Sequence, residues 1–121
     1  MVYRGTIVSC LDNSGALLLK CIKVYGRALN KRAQVGDLLL VSVQSYRPNR
    51  KVKKGDLFKA VLVRTKSKVK RYGNFYISAN NNSVVLLDNR MLPLGSRILG
   101  TVFVELRKKY MFLISLAPSI I

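Results

Sequence analysis

Apolar positions along the chain fall in short runs, not at helical spacing. TIVSC (6–10), ALLLKCIKVYG (16–26), LLLVSVQSY (38–46), FKAVLVRT (58–65) and VVLL (84–87) are β-branched or aliphatic segments of strand length. The second becomes mixed after Leu19. Gly, Asn and Asp punctuate the gaps, at LDNSG (11–15), Gly36-Asp37, Gly55-Asp56 and NNN (80–82). These residues close tight turns, because glycine and asparagine tolerate positive φ. Short strands at near-regular spacing with Gly-rich turns predict an all-β barrel or sandwich. No amphipathic helix separates the strands, which argues against a parallel α/β sheet.

Other stretches fill in the outline. RALNKRAQVGD (27–37) reads as a connection, and Pro48 ends the third strand because it brings no N–H to a ladder. SKVKRYGNFYI (67–77) reads as a hairpin with Gly73 and Asn74 at its tip. PLGSRILGTVFVEL holds one more short strand. RKKYMFLISLAPSII is the only helical candidate, with Pro118 limiting its last turn. With no internal repeat or linker, residues 1–121 are expected to form one domain, comprising a barrel, a basic loop at 47–56, a ribbon at 66–78 and a helical tail at 105–121.

Charge changes this picture most. Twenty-two Lys and Arg face five Asp and Glu, a net charge of +17. Eleven of the basic residues lie between Arg47 and Arg71, with Asp56 the one acid among them. A uniform solubility coat would not cluster in this way. Such a chain repels itself and calls for a polyanion, first nucleic acid and second an anionic membrane surface. The apolar runs fall far short of the ~20 residues a spanning helix needs. The N-terminus, MVYRGTIVSCLDNSG, lacks a signal peptide's apolar core and is not an Arg- and Ser-rich presequence. The expectation is a protein that works where it is made, or one whose presequence has been removed.

Catalysis finds little to work with. The chain has no histidine, which removes the usual general base and the Ser-His and Cys-His pairs. Asp12, Asp37 and Asp56 sit in turns, where a carboxylate ordinarily accepts backbone N–H bonds, and Asp88 lies in another loop. Glu105 is expected in a structural ion pair, and Arg64 could be a partner for it or for Asp56. Cys10 and Cys21 alone cannot close a four-ligand zinc site. Each is expected as a buried, reduced thiol. No catalytic residue, metal or cofactor is expected.

Nucleic-acid binding is better supported. Lys51, Lys53 and Lys54 share a loop, and Lys66, Lys68 and Lys70 share one face of an extended arm. Tyr72, Phe75 and Tyr76 sit beside that arm. They are expected to pack its underside, with stacking on unpaired bases as the alternative. The pattern indicates backbone and shape reading with little direct base readout. A free-standing nucleic-acid chaperone or a basic membrane-surface module is the competing class.

LDNSGA (11–16), CIKV (21–24), VGD (35–37), KVKKGD (51–56), KAVLVRTK (59–66), NSVVLLDN (82–89), PLGSRILG (93–100), EL (105–106) and ISLAP (114–118) occur in an order and spacing that is recognisable. Together they resemble the universal large-subunit ribosomal protein fourteen family, in its bacterial or organellar form. The resemblance runs from Thr6 to Ile121, and KVKKGD followed by KAVLVRTK is its most specific part. It implies a small five-stranded β-barrel with a projecting β-hairpin ribbon and short C-terminal helices. It implies a structural role in the large ribosomal subunit and binding to large-subunit rRNA, with small-subunit rRNA touched at intersubunit bridges. Implied protein neighbours are large-subunit ribosomal proteins of the third and nineteenth types, and a ribosome-silencing factor can dock on the family's surface. No membrane partner is implied.

On that basis the rRNA phosphates fall to Lys51, Lys53, Lys54, Arg64, Lys66, Lys68, Lys70 and Arg71. Arg97 and Arg107 are candidates for the bridges. Asn13 and Ser14 could offer polar contacts to RNA or serve only their turn. Four places depart from the family pattern. Tyr72-Gly73-Asn74 replaces the usual Asp-Gly tip, Asn80 stands for Asp, Thr101 for Pro and Val104 for Arg. Leu and Lys, at 18 and 12 residues, outnumber Ala and Gly, at 6 and 8, which is the bias of an AT-rich genome. The expected location is therefore a ribosome in the mitochondrial matrix, organelle-encoded, with the bacterial cytoplasm or a plastid as alternatives.

Overall fold

The computed structural model describes residues 2–26 and 32–121. Five strands close into a barrel: β1 (Ile7–Cys10), β2 (Ala16–Val24), β3 (Leu38–Tyr46), β4 (Leu57–Arg64) and, after an inserted hairpin, β7 (Ser83–Leu87). Neighbours pair antiparallel from β1 through β4 to β7, and β7 closes the ring by pairing parallel with β1. The hairpin is β5 (Val69–Arg71) and β6 (Phe75–Ile77). Beyond β7 come β8 (Thr101–Val102), a 3-10 turn (Val104–Lys108), α1 (Met111–Leu116) and β9 (Ser119–Ile120), which pairs parallel with β8.

The segments predicted as strands match β1 to β4 and β7 within two residues at each end, and the helical tail is present. The tail also carries β9, which the sequence did not suggest. The connection expected over 27–37 lies outside the described residues from 27 to 31.

Side-chain period sets which residues enter the barrel. β3 alternates strictly at its start, placing Leu39, Val41 and Val43 inside. β2 pairs in shifted registers at Leu17 and at Ile22, each an extra residue on its strand. The second shift lets Val24 face inward after Leu19 and Cys21, with Ile22 and Lys23 both outside. These irregularities are why the pattern looks mixed after Leu19. Both cysteines are free thiols, with Cys21 in the core.

β4 and β7 behave differently, because both of their faces are covered. Ala60, Leu62, Val84 and Leu86 face the barrel interior. Val61, Val63, Val85 and Leu87 face outward into a second core with Leu11, Ile98, Val102, Leu106, Leu113 and Ile114. An unbroken apolar run in a strand indicates cover on both sides. The C-terminal segment supplies that cover.

Strand directions then fix two ends. The 11–15 turn, the loop at 47–56 and the residues following Leu87 gather where β1 and β3 end and β4 starts. The hairpin grows from the other end, where β4 finishes and β7 begins.

Candidate nucleic-acid interface

The basic loop is held by its apolar and backbone groups, leaving its cations free to face out. Val52 is completely buried, while Lys51, Lys53 and Lys54 are exposed. The Asp56 carboxylate accepts from the Lys53 N–H at 3.0 Å, and Asp56 N–H returns a bond to the Lys53 carbonyl at 3.2 Å. Gly55, at φ +87°, makes this turn possible. The Arg47 N–H donates to the Gly15 carbonyl, which ties the loop to the 11–15 turn. Arg47 and Arg50 are exposed and line a small hollow of about 120 Å³ with Asn13 and Leu99. Both arginines belong to this surface, and the basic run that contains them is the signal that marks them. Lys51 donates to the Leu94 carbonyl at 3.3 Å and still reaches solvent.

Asn13 and Ser14 both hold the 11–15 turn in place. Ser14 is buried, and its hydroxyl donates to Asp12 at 2.6 Å, so it cannot meet an RNA sugar. Asn13 Oδ1 accepts from the Ser96 and Arg97 N–H groups at 2.9 and 3.1 Å. Asp12 is also buried, and it receives the Cys10 thiol, the Ser14 N–H and the Leu86 N–H. Burial, and then the Asp12 charge, push the Cys10 thiol far above its ordinary pKa. Burial raises Cys21 as well. A raised pKa disfavours the reactive thiolate form of both. Asp37 caps Gln34, and Asp88 accepts from the Arg90 and Leu92 N–H groups, so the turn carboxylates act as expected.

At the opposite end the ribbon stem is fastened by Thr65, whose hydroxyl donates to the Ser67 carbonyl, and by Asn82, whose side chain accepts from the Lys66 N–H. Beyond it, Lys66, Lys68 and Lys70 are exposed, alternating with half-buried Ser67, Val69 and Arg71. The three lysines thus lie on the solvent side of the arm. Between this arm and the 32–35 segment runs a cleft of about 360 Å³, which includes Lys68, Lys70 and Glu105 in its lining.

The two arginines face the protein. Arg71 grips Glu105 with both branches, Nε to Oε1 at 2.7 Å and Nη2 to Oε2 at 2.9 Å. Its Nη2 also donates to the Ile121 carbonyl at 2.8 Å, and its guanidinium lies 5.8 Å from the Phe103 ring centre. Glu105 is therefore in the expected structural ion pair, with Arg71 as its partner. Arg64 pairs with neither Asp56 nor Glu105. Its Nε lies within bonding distance of Asn81 Oδ1 and Ser83 Oγ, and its Nη1 reaches the Thr101 carbonyl. Its partial burial lowers its pKa. Pairing across residues so distant in sequence leaves no local trace in the chain.

Arg97 and Arg107 are exposed but stand at opposite ends of the barrel. Arg97 adjoins Asn13, while Arg107 lies on the 3-10 turn that carries Glu105. Exposed Lys108 and Lys109 follow Arg107 and make that turn a basic knob. Tyr72, Phe75 and Tyr76 are also exposed, so they do not pack the underside of the hairpin as expected. Among the described residues, no group of three or more His, Cys, Asp and Glu side chains could hold a metal. No described helix is long and apolar enough to cross a membrane.

A closed barrel with cation clusters at both ends, and with its carboxylates tied into turns and an ion pair, defines a small basic β-barrel protein. The chain matches the family described as Ribosomal protein L14p/L23e over residues 1–121, and it belongs to that family. Members are structural proteins of the large ribosomal subunit, and the place of this chain is the ribosome.

Proposed function

We propose that the chain binds large-subunit rRNA from both ends of its barrel, with Lys51, Lys53 and Lys54 on one side and Lys66, Lys68 and Lys70 on the other. The observation that carries this reading is the exposure of all six lysines on backbone that is itself tied down. Pre-fixed cations neutralise phosphates with little ordering penalty. Arg64 and Arg71 have a second role here: they brace the ribbon and its stem, and reach phosphate only through whatever N–H groups stay solvent-facing. Asn13 serves by shaping the turn beside Arg47 and Arg50.

Finer parts of the proposal rest on the family resemblance. Arg97 and Arg107, at opposite ends, would meet small-subunit rRNA in separate bridges. Proteins of the third and nineteenth types would be neighbours, and a silencing factor would dock on the free subunit. The Leu-, Lys- and Asn-rich composition supports a mitochondrial ribosome, with a plastid or bacterial one as the alternative. Co-sedimentation through a high-salt wash is the test. The protein should stay with large subunits, and its release into the free pool would overturn the assignment.

A further inference from the structure

Three aromatic rings at the hairpin tip are left uncovered by the fold. Tyr72 is 100% exposed, Phe75 72% and Tyr76 60%. Gly73 (φ +78°) and Asn74 (φ +62°) both take left-handed backbone and turn the chain between these rings. In the β5–β6 pair, Arg71 lies opposite Phe75 and Lys70 opposite Tyr76. Opposed residues of an antiparallel pair share a face. Arg71 faces Glu105, so Phe75 lies on the side toward the body of the protein, with Val69 and Ile77. Its ring crosses the tip, where a Cβ on Gly73 would come within 3.2 Å of it. Tyr76 and Lys70 lie side by side on the outer face, and Lys68 follows on the same side.

This arrangement suits a base and its phosphate together. A tyrosine ring offers a π-face to any unpaired base, and a lysine beside it neutralises the adjoining phosphate. Lys70, Arg71, Tyr72, Gly73 and Asn74 surround an open hollow of about 400 Å³ at the tip. The ribbon from 66 to 78 carries four cations and no carboxylate. Arg71 is already paired with Glu105, but an apolar protein partner would leave Lys66, Lys68 and Lys70 desolvated and unpaired, whereas RNA pairs them.

We propose that the ribbon tip is a stacking site for unpaired RNA bases, with Tyr72 and Tyr76 as the stacking rings and Lys70 as the cation for the neighbouring phosphate. Phe75 backs the turn. The proposal rests on the ribbon being an RNA-binding element, and the test separates the two. The full chain is titrated against a short labelled oligoadenylate and against an abasic oligonucleotide of the same length, followed by anisotropy. Wild type should prefer the base-bearing strand by about five- to a hundredfold. Tyr72→Ala/Tyr76→Ala should abolish that preference, leaving abasic binding and its salt dependence unchanged. Tyr72→Phe/Tyr76→Phe should retain the preference, which shows that ring loss and not misfolding is responsible. Lys70→Ala should weaken binding to both strands. Salt-dependent binding with no base preference in wild type, or a preference that survives in the Ala variant, would overturn the stacking site and leave the tip to a protein neighbour. Absence of salt-dependent binding to either strand would overturn the RNA-binding ribbon as well.

Discussion

Removing the Arg71 side chain should loosen the ribbon from the barrel. Arg71 makes two charge-assisted bonds to Glu105, at 2.7 and 2.9 Å, plus one to the Ile121 carbonyl. Bonds to charged groups contribute ~1.5–3 kcal/mol when well shielded. The two side chains keep 25% and 28% exposure, so water screens the pair, and ~1–2 kcal/mol is a fair value for the bidentate contact. The Ile121 bond and the Phe103 ring add ~0.5–1 kcal/mol each. Arg71→Ala should therefore cost ~2–4 kcal/mol, a fall in Tm of ~8–16 °C for a domain of this size. Glu105→Gln keeps one acceptor and should cost ~1 kcal/mol. Circular-dichroism melts of the two single variants and the double variant complete a cycle, whose coupling energy should be ~1–2 kcal/mol. Lys70→Ala, one residue away on the opposite face, should stay within ~0.5 kcal/mol of wild type. The reasoning is refuted if Arg71→Ala melts like wild type and instead loses RNA affinity as Lys70→Ala does. Arg71 would then be a phosphate ligand first.

Further outcomes follow from the same structure. Lys66→Ala/Lys68→Ala/Lys70→Ala should fold normally by circular dichroism, while the salt slope of RNA binding drops by about two to three units; an unfolded variant would mean that these lysines support the core. Gly15 holds φ +109° with its missing Cβ directed onto Arg50 Cβ, so Gly15→Ala should lose at least ~2 kcal/mol in urea unfolding. Leu113→Ala, in the outer core, should lose ~2–4 kcal/mol, and a smaller loss would make the C-terminal cover dispensable. Burial first and then Asp12 raise the Cys10 pKa, so the unfolded chain releases that proton before the folded one. Stability from this source is intact below about pH 9 and declines above it, and Cys10→Ala should flatten that alkaline decline in denaturant titrations.

Barrel strands were legible because burial follows a period the chain carries locally. LLLVSVQSY maps onto β3 residue for residue. FKAVLVRT maps onto β4 one residue early, because Thr65 leaves the ladder to bond the Ser67 carbonyl. The unbroken runs AVLV and VVLL held a second message, cover on both faces, but not which segment provides it. That segment is the tail, and its β9 is two residues paired in parallel with β8 across the intervening 3-10 turn and α1, too short a strand to show a period. The exposure of Lys66, Lys68 and Lys70 was legible from their alternation along the arm. Arg64 and Arg71 were not, since their partners Asn81, Ser83, Thr101, Glu105 and Ile121 are neighbours only after folding. The tip aromatics misled for a related reason. A ring in a short hairpin buries itself only if the body reaches that far, and here it stops at Val69, Arg71 and Ile77.

β4 connects the two cationic ends directly, and its eight residues span about 25 Å. Its centre is locked on both faces, so this spacing cannot stretch or shorten. A polyanion gripped at both ends must present two phosphate tracks at that separation. The molecule then behaves as a bivalent gauge. Once one end is engaged, the other sees its track at high effective concentration, but only where the RNA has already folded to the matching gap. An unfolded RNA would engage one end at a time, with rapid release, and residence time would lengthen sharply on the correctly folded one.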